Sequence, residues 1–294
     1  MILDVSIGIM AYNEEANIGR LLQSLLGQKF IHGFLKEIFV VASGCTDKTE
    51  EIVRNFMEKD RRIKLLIQPQ REGKASAINL FLSKASSDIL ILESGDTVPD
   101  QGSLNMLVEP FKDPSIGMTG AHPIPVNQKS RFIGFAVHLM WSLHHQIALS
   151  TPKLGELVAF RNFVRKIPKD TAVDEASIEA IVREADYQLR YVPEAIVRNK
   201  GPENIRDFIK QRRRIAAGHK HLLRKQNYQV STYNSFRILA ILLREHSWNL
   251  RDTIWTLGAI GLEIIGRIFG YYDFYIRKKN PFVWDIASST KRWN

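Results

Sequence analysis

The sequence predicts an α/β fold, with a mostly parallel central sheet flanked by helices and a helical C-terminal region after it. Three observations carry that prediction. Short apolar runs alternate with amphipathic stretches through the first hundred residues, a polar cluster follows each apolar run, and beyond residue 200 the texture changes to long helical segments. Alternation of this kind calls for a sheet covered on both faces, with ligands at the carboxyl ends of its strands.

Residues 5–10, 37–42, 63–68 and 88–92 read as buried strands, and 17–26, 48–58 and 74–83 between them read as helices at 3.6-residue spacing. Each strand runs into a polar motif: Tyr12-Asn13-Glu14-Glu15, Ser43-Gly44-Cys45-Thr46-Asp47, Arg71-Glu72-Gly73-Lys74 and Ser94-Gly95-Asp96. The stretch 132–149 carries His138, His144 and His145 without the spacing of a metal box, and reads as a packing helix. A further helix is expected over 174–185. Gly201-Pro202 marks a boundary between a domain at 1–200 and a helical region at 201–294. Within that region 204–225, 234–246 and 250–276 are amphipathic.

The last of these helices is disfavoured as a membrane span, because Glu263, Arg267 and Asp273 interrupt it and a central charge costs about 2.5–3.5 kcal/mol. On a helical wheel Asp252, Thr256, Glu263 and Arg267 share one stripe, with Ile254, Gly261, Ile265, Ile268 and Tyr272 opposite. Such a helix suits a membrane interface, or packing on the catalytic domain.

Composition narrows the function classes. The single Cys45 rules out an internal disulfide and fits a reducing compartment. Residues 1–4 run directly into the first strand, so no export signal is expected. A formal charge of +10 asks for an anionic partner. The basic excess gathers after Arg183, in 206–225 and at Arg277-Lys278-Lys279, which argues for a basic C-terminal surface and against a uniformly basic nucleic-acid binder.

Asp96, freed at a strand end by Gly95, can hold a divalent cation that bridges phosphate oxygens; capping of the next turn is the plain alternative. Arg71 and Lys74 flank Gly73 at a helix start, which suits an anion or merely a capped, solvated terminus. Asp174-Glu175 opens a helix, either as dipole-stabilised caps or as a general base beside a sugar. Gln211-Arg212-Arg213-Arg214-Ile215 packs an amide and three guanidinium groups into about one turn, a match for diphosphate oxygens. Alone, that run reads as a solvated face sooner than as a catalytic device. His219 and His221 just beyond it either face the site or end a solvated helix, and Cys45 reads as a small turn filler.

In their joint order these pieces resemble family-2 glycosyltransferases of the GT-A fold, a Rossmann-like α/β arrangement, over nearly the whole chain. The matching segments are 5–15, 38–49, 71–74, 90–99, 173–178 and the Gln-x-x-Arg-aromatic-like run at 211–215. The resemblance implies that Ala11, Tyr12 and Glu14 form the first nucleotide-contacting loop, with Ser43 and Gly95 at the donor site and Arg71 and Lys74 beside base and phosphates. It makes Asp96 the last acid of an Asp-x-Asp motif that holds Mg2+ or Mn2+, and Glu175 the general base by position, with Asp174 as the alternative. Gln211, Arg212 and Arg214 match the motif over the diphosphate and the acceptor terminus.

The implied reaction inverts the anomeric carbon: the base deprotonates an acceptor hydroxyl, which attacks in line as the nucleoside diphosphate leaves. A UDP-sugar is the favoured donor, with GDP open. The acceptor is lipid-linked or an oligosaccharide, presented at the cytoplasmic face of a membrane. A basic, amphipathic C-terminal region with Phe282, Trp284 and Trp293 suits such peripheral contact, and no nucleic-acid partner is expected.

The sequence also departs from the family pattern. Ser94 replaces the first acid of the metal motif, leaving Glu93 misphased, and Ala42-Ser43 replaces an acidic pair that contacts the base. Asp-Glu stands for Glu-Asp at 174–175, and Ile215 replaces the closing aromatic, which points to single or limited sugar addition. Two other readings remain. A nucleotidyltransferase would need a glycine cluster that 10–13 lacks, and an inactive transferase-fold binding protein is favoured by Ser94.

Overall fold

The computed structural model describes residues 3–231, 235–245, 249–283 and 288–291. Trp284, Asp285 and Trp293 of the expected interfacial tail lie outside the described residues, as do the end residues Asn234 and His246 of the helix expected over 234–246.

The first half follows the apolar periodicity. β1 (Leu3–Ala11), α1 (Ile18–Leu26), β2 (Gly33–Ser43), α2 (Thr49–Met57), β3 (Ile63–Gln68), α3 (Lys74–Lys84) and β4 (Ile89–Ser94) alternate as expected. β2 starts four residues earlier than its apolar run, because Phe34 and Lys36 there are exposed and break the continuous pattern. The parallel ladders β3-β2-β1-β4 form one half of an eight-stranded sheet of order β3-β2-β1-β4-β7-β6-β8-β5.

The other half comes from β5 (Val98–Pro99), β6 (Ile116–Pro125), β7 (Val158–Arg161) and β8 (Gln188–Asn199), with α4 (Ser103–Val108), α5 (Phe132–Ala148) and α6 (Asp174–Glu184) between them. β7 runs antiparallel between β4 and β6, β5 runs antiparallel to β8, and β6 and β8 are parallel. The sheet is therefore mixed, with the parallel direction prevailing.

Two apolar layers sandwich the sheet. Leu21, Leu22 and Leu25 of α1 and Leu104 and Leu107 of α4 pack on Val5, Ile7 and Ile9. Ile78 and Phe81 of α3 and Ile178 and Val182 of α6 pack on Met10, Leu90 and Leu92 from the opposite face. Burying each such side chain is worth roughly 1.5–3 kcal/mol. Gly8 lets α3 approach, since a Cβ there would sit 2.6 Å from the ring of fully buried Phe81.

Three helices follow: α7 (Ile205–Gln226), α8 (Ser235–Glu245) and α9 (Leu250–Tyr275). Side chains cap two of them, as Asn204 accepts from Asp207 N–H and Asn249 from Asp252 N–H, each at 2.9 Å. α9 lies along α7 at very short range: a Cβ on Gly266 would be 2.5 Å from Arg212 Cβ, and one on Gly270 would be 2.5 Å from the Arg213 carbonyl oxygen. Its polarity is reversed with respect to a water-soluble surface helix. Thr256 and Asp273 are buried, while Ile254, Leu257, Ile264, Ile265, Ile268, Phe269 and Tyr272 are exposed. Among the described residues α9 is the one helix long and apolar enough to cross a membrane.

Gly8→Val should lower the unfolding free energy by about 1–3 kcal/mol through overpacking against Phe81. Urea unfolding monitored by circular dichroism measures it, and an unchanged midpoint would count against this close β1–α3 contact.

Candidate active site

A cleft of ≈ 830 Å³ opens at the carboxyl ends of β1, β2 and β4 and is roofed by α7 and α9. Of the candidate residues, Ala11, Tyr12, Glu14, Ser43, Arg71, Lys74, Asp96, Asp174, Glu175, Gln211, Arg212 and Arg214 all line it. Gly95 does not. Its N–H donates to Met10 O at 3.2 Å, and a Cβ there would lie 2.8 Å from Glu14 Cγ, so it serves the packing of the first loop.

The first loop is stapled to the second. Asn13, with φ of 52°, donates through Nδ2 to Thr46 Oγ1 (3.1 Å) and accepts from Thr46 N–H (2.8 Å). Glu14 N–H donates to Thr49 Oγ1 at 2.7 Å and Glu15 N–H to Asp47 Oδ2 at 3.0 Å. Cys45 joins the same seam, donating to Ala11 O at 3.6 Å. Gly44, at φ 65°, lets the third motif close in, because a Cβ would stand 2.5 Å from Arg71 N. The Arg71 guanidinium then lies over the Tyr12 ring, 4.1 Å from its centroid.

Lys74, the first residue of α3, reaches across to the first turn of α6, with Nζ 2.9 Å from Asp174 Oδ2 and 2.8 Å from Glu175 Oε1. Burial disfavours its charge, but the two carboxylates outweigh this and hold the ammonium well above its usual range. The two acids differ. Asp174 is 2% exposed, and burial pushes its carboxyl up. Glu175 also feels burial, yet Lys74 brings it below the usual carboxylate range, and its side chain keeps 22% exposure. An ionised carboxylate with access to the cleft is what a general base requires.

Asp96 stands at the end of β4 with its carboxyl pushed up by burial, against the opposing pull of Lys74 and Arg214. Among the described residues no group of three or more His, Cys, Asp or Glu is arranged to hold an ion. One carboxylate completed by substrate oxygens is a common way to hold Mg2+, so Asp96 fits that role if a diphosphate supplies the rest. Glu93, the misphased substitute, is 1% exposed, does not line the cleft and takes a hydrogen bond from Thr97 Oγ1; burial pushes its carboxyl up to about 8.

The arginine run divides by direction. Arg212 donates to Glu263 of α9 from Nε (2.5 Å) and from its terminal nitrogen (3.0 Å), and Arg213 is paired with Asp273 of α9. Arg214 is buried in the cleft lining, where the nearby charges of Asp174, Glu175 and Glu156 favour the charge that its burial opposes.

Several lining residues escaped the sequence reading. Glu156 has φ of 62°, a left-handed conformation unusual for a glutamate, and precedes β7, whose Val158 pairs with Leu92 of β4. Because β7 is antiparallel, its beginning lies beside the end of β4. Burial, with Glu175 and Asp96 nearby, raises the Glu156 carboxyl to about 7. Lys153, Trp141, Asn199 and Lys291 also line the cleft. Lys291 Nζ donates to Tyr12 O at 3.2 Å and pairs with Glu14, and its own carbonyl accepts from Asn17 Nδ2 at 2.7 Å.

The histidines are placed by contacts with the protein. His138 Nε2 is 2.8 Å from Asn127 O and His145 Nδ1 is 2.7 Å from Tyr191 Oη, within α5 packing. His144 is buried and lines the cleft. Neither His219 nor His221 ends a solvated helix: His219 lines the cleft, and His221 is buried with Nε2 3.3 Å from Lys279 O.

Residues 6–167 match the family described as Glycosyl transferase family 2. The chain belongs to this family. Its relatives include the poly-beta-1,6-N-acetyl-D-glucosamine synthases of Staphylococcus aureus strain COL, 28% identical over 74% of this chain, and of Staphylococcus epidermidis, 27% identical over 75%. The chain spans about half the length of these relatives, 55% and 56%. In three dimensions it is similar to a mannosyltransferase from Pyrobaculum calidifontis in complex with GDP-Man and Mn2+, with a TM-score of 0.68 at 18% identity, covering 93% of this chain and 88% of that one. It is also similar to glucosyl-3-phosphoglycerate synthase from Mycobacterium tuberculosis, with a TM-score of 0.54 at 19% identity, covering 78% and 80%. This family-2 glycosyltransferase thus has the GT-A fold.

Beneath the site, buried Glu179 of α6 accepts from Leu154 N–H (2.6 Å) and from Tyr228 Oη (2.9 Å), and burial raises its carboxyl to about 7 from 4.5. A carboxyl whose folded pKa lies above its unfolded value binds more protons when folded. Its contribution to stability is complete below the unfolded value and is lost as pH rises through about 7. Thermal midpoints of wild type should therefore fall between pH 5 and 8, and Glu179→Gln should flatten that fall. An unaltered pH slope would remove Glu179 as its source.

Proposed function

We propose that this glycosyltransferase moves a sugar, with inversion, from a nucleoside diphosphate sugar to an acceptor hydroxyl. The observation that carries this reading is the convergence of Asp96, the Lys74–Asp174–Glu175 triad and Arg214 on one cleft, beside the stapled first loop. Glu175 is the base. Lys74 orients its carboxylate, while Asp174 stays buried behind it as an electrostatic partner. The base takes the proton of the attacking hydroxyl, and Arg214 and Lys74 place positive charge where the departing diphosphate gathers negative charge. Mg2+ or Mn2+, held by Asp96 together with donor oxygens, would neutralise further phosphate charge when bound. Tyr12, Arg71, Ser43 and Glu14 offer the surface for base and ribose, with UDP favoured as carrier and GDP the second choice.

The acceptor is lipid-linked or an oligosaccharide, in keeping with relatives named for a polysaccharide product. Ile215 at the end of the arginine run supports single or limited addition. The described residues beyond 200, chiefly α7 and α9, complete the site from above, and the exposed apolar face of α9, flanked by Arg251 and by Arg277-Lys278-Lys279, is read as contact with the cytoplasmic face of a membrane.

A panel of UDP- and GDP-sugars with Mn2+ should yield nucleoside diphosphate; pyrophosphate release from sugar phosphate and NTP would point to a nucleotidyltransferase, and release of neither to a binding protein. Asp96→Ala should weaken metal-dependent donor binding, whereas Glu175→Gln should keep binding and cut turnover about a hundredfold or more. Near-normal turnover in Glu175→Gln would move the base elsewhere. Flotation with anionic vesicles at low salt should carry the protein upward, and its absence would defeat the membrane reading.

A further inference from the structure

α9 turns its charges inward and its isoleucines outward, and an inward charge has a cost that needs a return. Burying a carboxylate costs several kcal/mol unless it is paired, and an apolar interface of equal shape is often as stable as an ion pair. Adhesion of α9 to α7 therefore gives little reason for Glu263 and Asp273. The close approach at Gly266 and Gly270 already brings the two backbones together.

What the carboxylates do is geometric. Glu263 takes two hydrogen bonds from Arg212 and one from Arg267 Nε at 2.7 Å. Burial works against its charge, yet these arginines hold its carboxyl down at about 2. Asp273 takes both hydrogen bonds of the Arg213 fork, with Arg277 3.8 Å from its Oδ1. Forked, two-point pairs of this kind fix orientation as well as distance. Successive residues on a helix are 100° apart, so locking Arg212 and Arg213 towards α9 fixes the rotation of α7 and turns Arg214 towards Asp174 and Glu175.

We propose that Glu263 and Asp273 are positioning residues for glycosyl transfer, holding the first two arginines of the run so that the third is presented to the reacting diphosphate. This rests on the transferase reading above. Both carboxylates border the cleft, but their oxygens are taken up by the arginines of α7. Each acts through α7, and the effect belongs to the step in which charge moves onto the leaving group.

The test compares Glu263→Gln, Glu263→Asp, Asp273→Asn and Gly270→Val with wild type in nucleoside diphosphate release, alongside amide hydrogen exchange of residues 211–216. Glu263→Gln and Asp273→Asn should lower kcat about tenfold while donor KM moves less than about threefold, and the 211–216 amides should exchange faster. Glu263→Asp, which keeps the charge, should restore most of kcat. Gly270→Val, which wedges the helices apart with both carboxylates intact, should reproduce the loss. Wild-type kcat in both amide variants would overturn the proposal. So would an equal loss in Glu263→Asp accompanied by a lowered Tm, which marks a merely structural role. If wild type itself releases no nucleoside diphosphate from any donor, the transferase reading fails on its own. The catalytic role falls with it, and hydrogen exchange then decides only whether Glu263 and Asp273 hold α7 in place, with unchanged protection at 211–216 counting against even that.

Discussion

One ammonium group organises the site. Lys74 begins α3, Asp174 and Glu175 begin α6, and the contact between them ties two helices on one face of the sheet together where β1, β2 and β4 end. Both helix termini carry partial positive charge, so a lysine at the start of α3 is unfavourable there unless carboxylates answer it. With two of them it is held firmly charged. The same contact separates the acids into one buried and one accessible, which a pair of adjacent residues on an exposed helix could not achieve. Asp96 and Arg214 are arranged around this triad, each feeling its field.

The second constraint is the polarity of the helical roof. In a water-soluble bundle α7 and α9 would meet through leucines and show their charges to solvent. Here charges meet inside and glycines set the spacing. The outside of α9 is left apolar, and the same reversal explains both its exposed isoleucines and the alignment of the arginines below.

Much of the fold was legible because β1, β4 and residues 37–43 of β2 are largely buried on both faces and so appear as nearly unbroken apolar runs, while the half-exposed edge strand β3 still shows four apolar residues in six. The rest was not, for identifiable reasons. β6 contains Gly117, Gly120, Pro123 and Pro125, which read as breakers until neighbours on both sides supply the ladder. β7 is four residues long, and in β8 burial alternates with charged positions. Site residues at ends of parallel strands could be found by walking along the chain. Glu156 could not, because β7 runs the other way and feeds the cleft from its beginning. Its one signal was local, a glutamate after Gly155 in a left-handed turn. The arginine run was recognisable as a motif. That Arg212 and Arg213 answer to Glu263 and Asp273 was visible only in part, as a charged stripe on the helical wheel whose inward direction the sequence alone left open.

The stapling of the first loop to the second has a thermodynamic meaning. Asn13, Glu14 and Glu15 each have a backbone or side-chain partner in the second loop or at the start of α2, so the freedom that a ligand would otherwise have to remove on binding has already been removed by folding. Ordering of a loop backbone costs about 1–2 kcal/mol per residue. With that entropy settled in advance, the affinity of this rim for a nucleotide is governed by fit and charge. On the proposed function, discrimination among bases then falls to the few side chains, Tyr12, Ser43 and Arg71, that stand on this stapled floor.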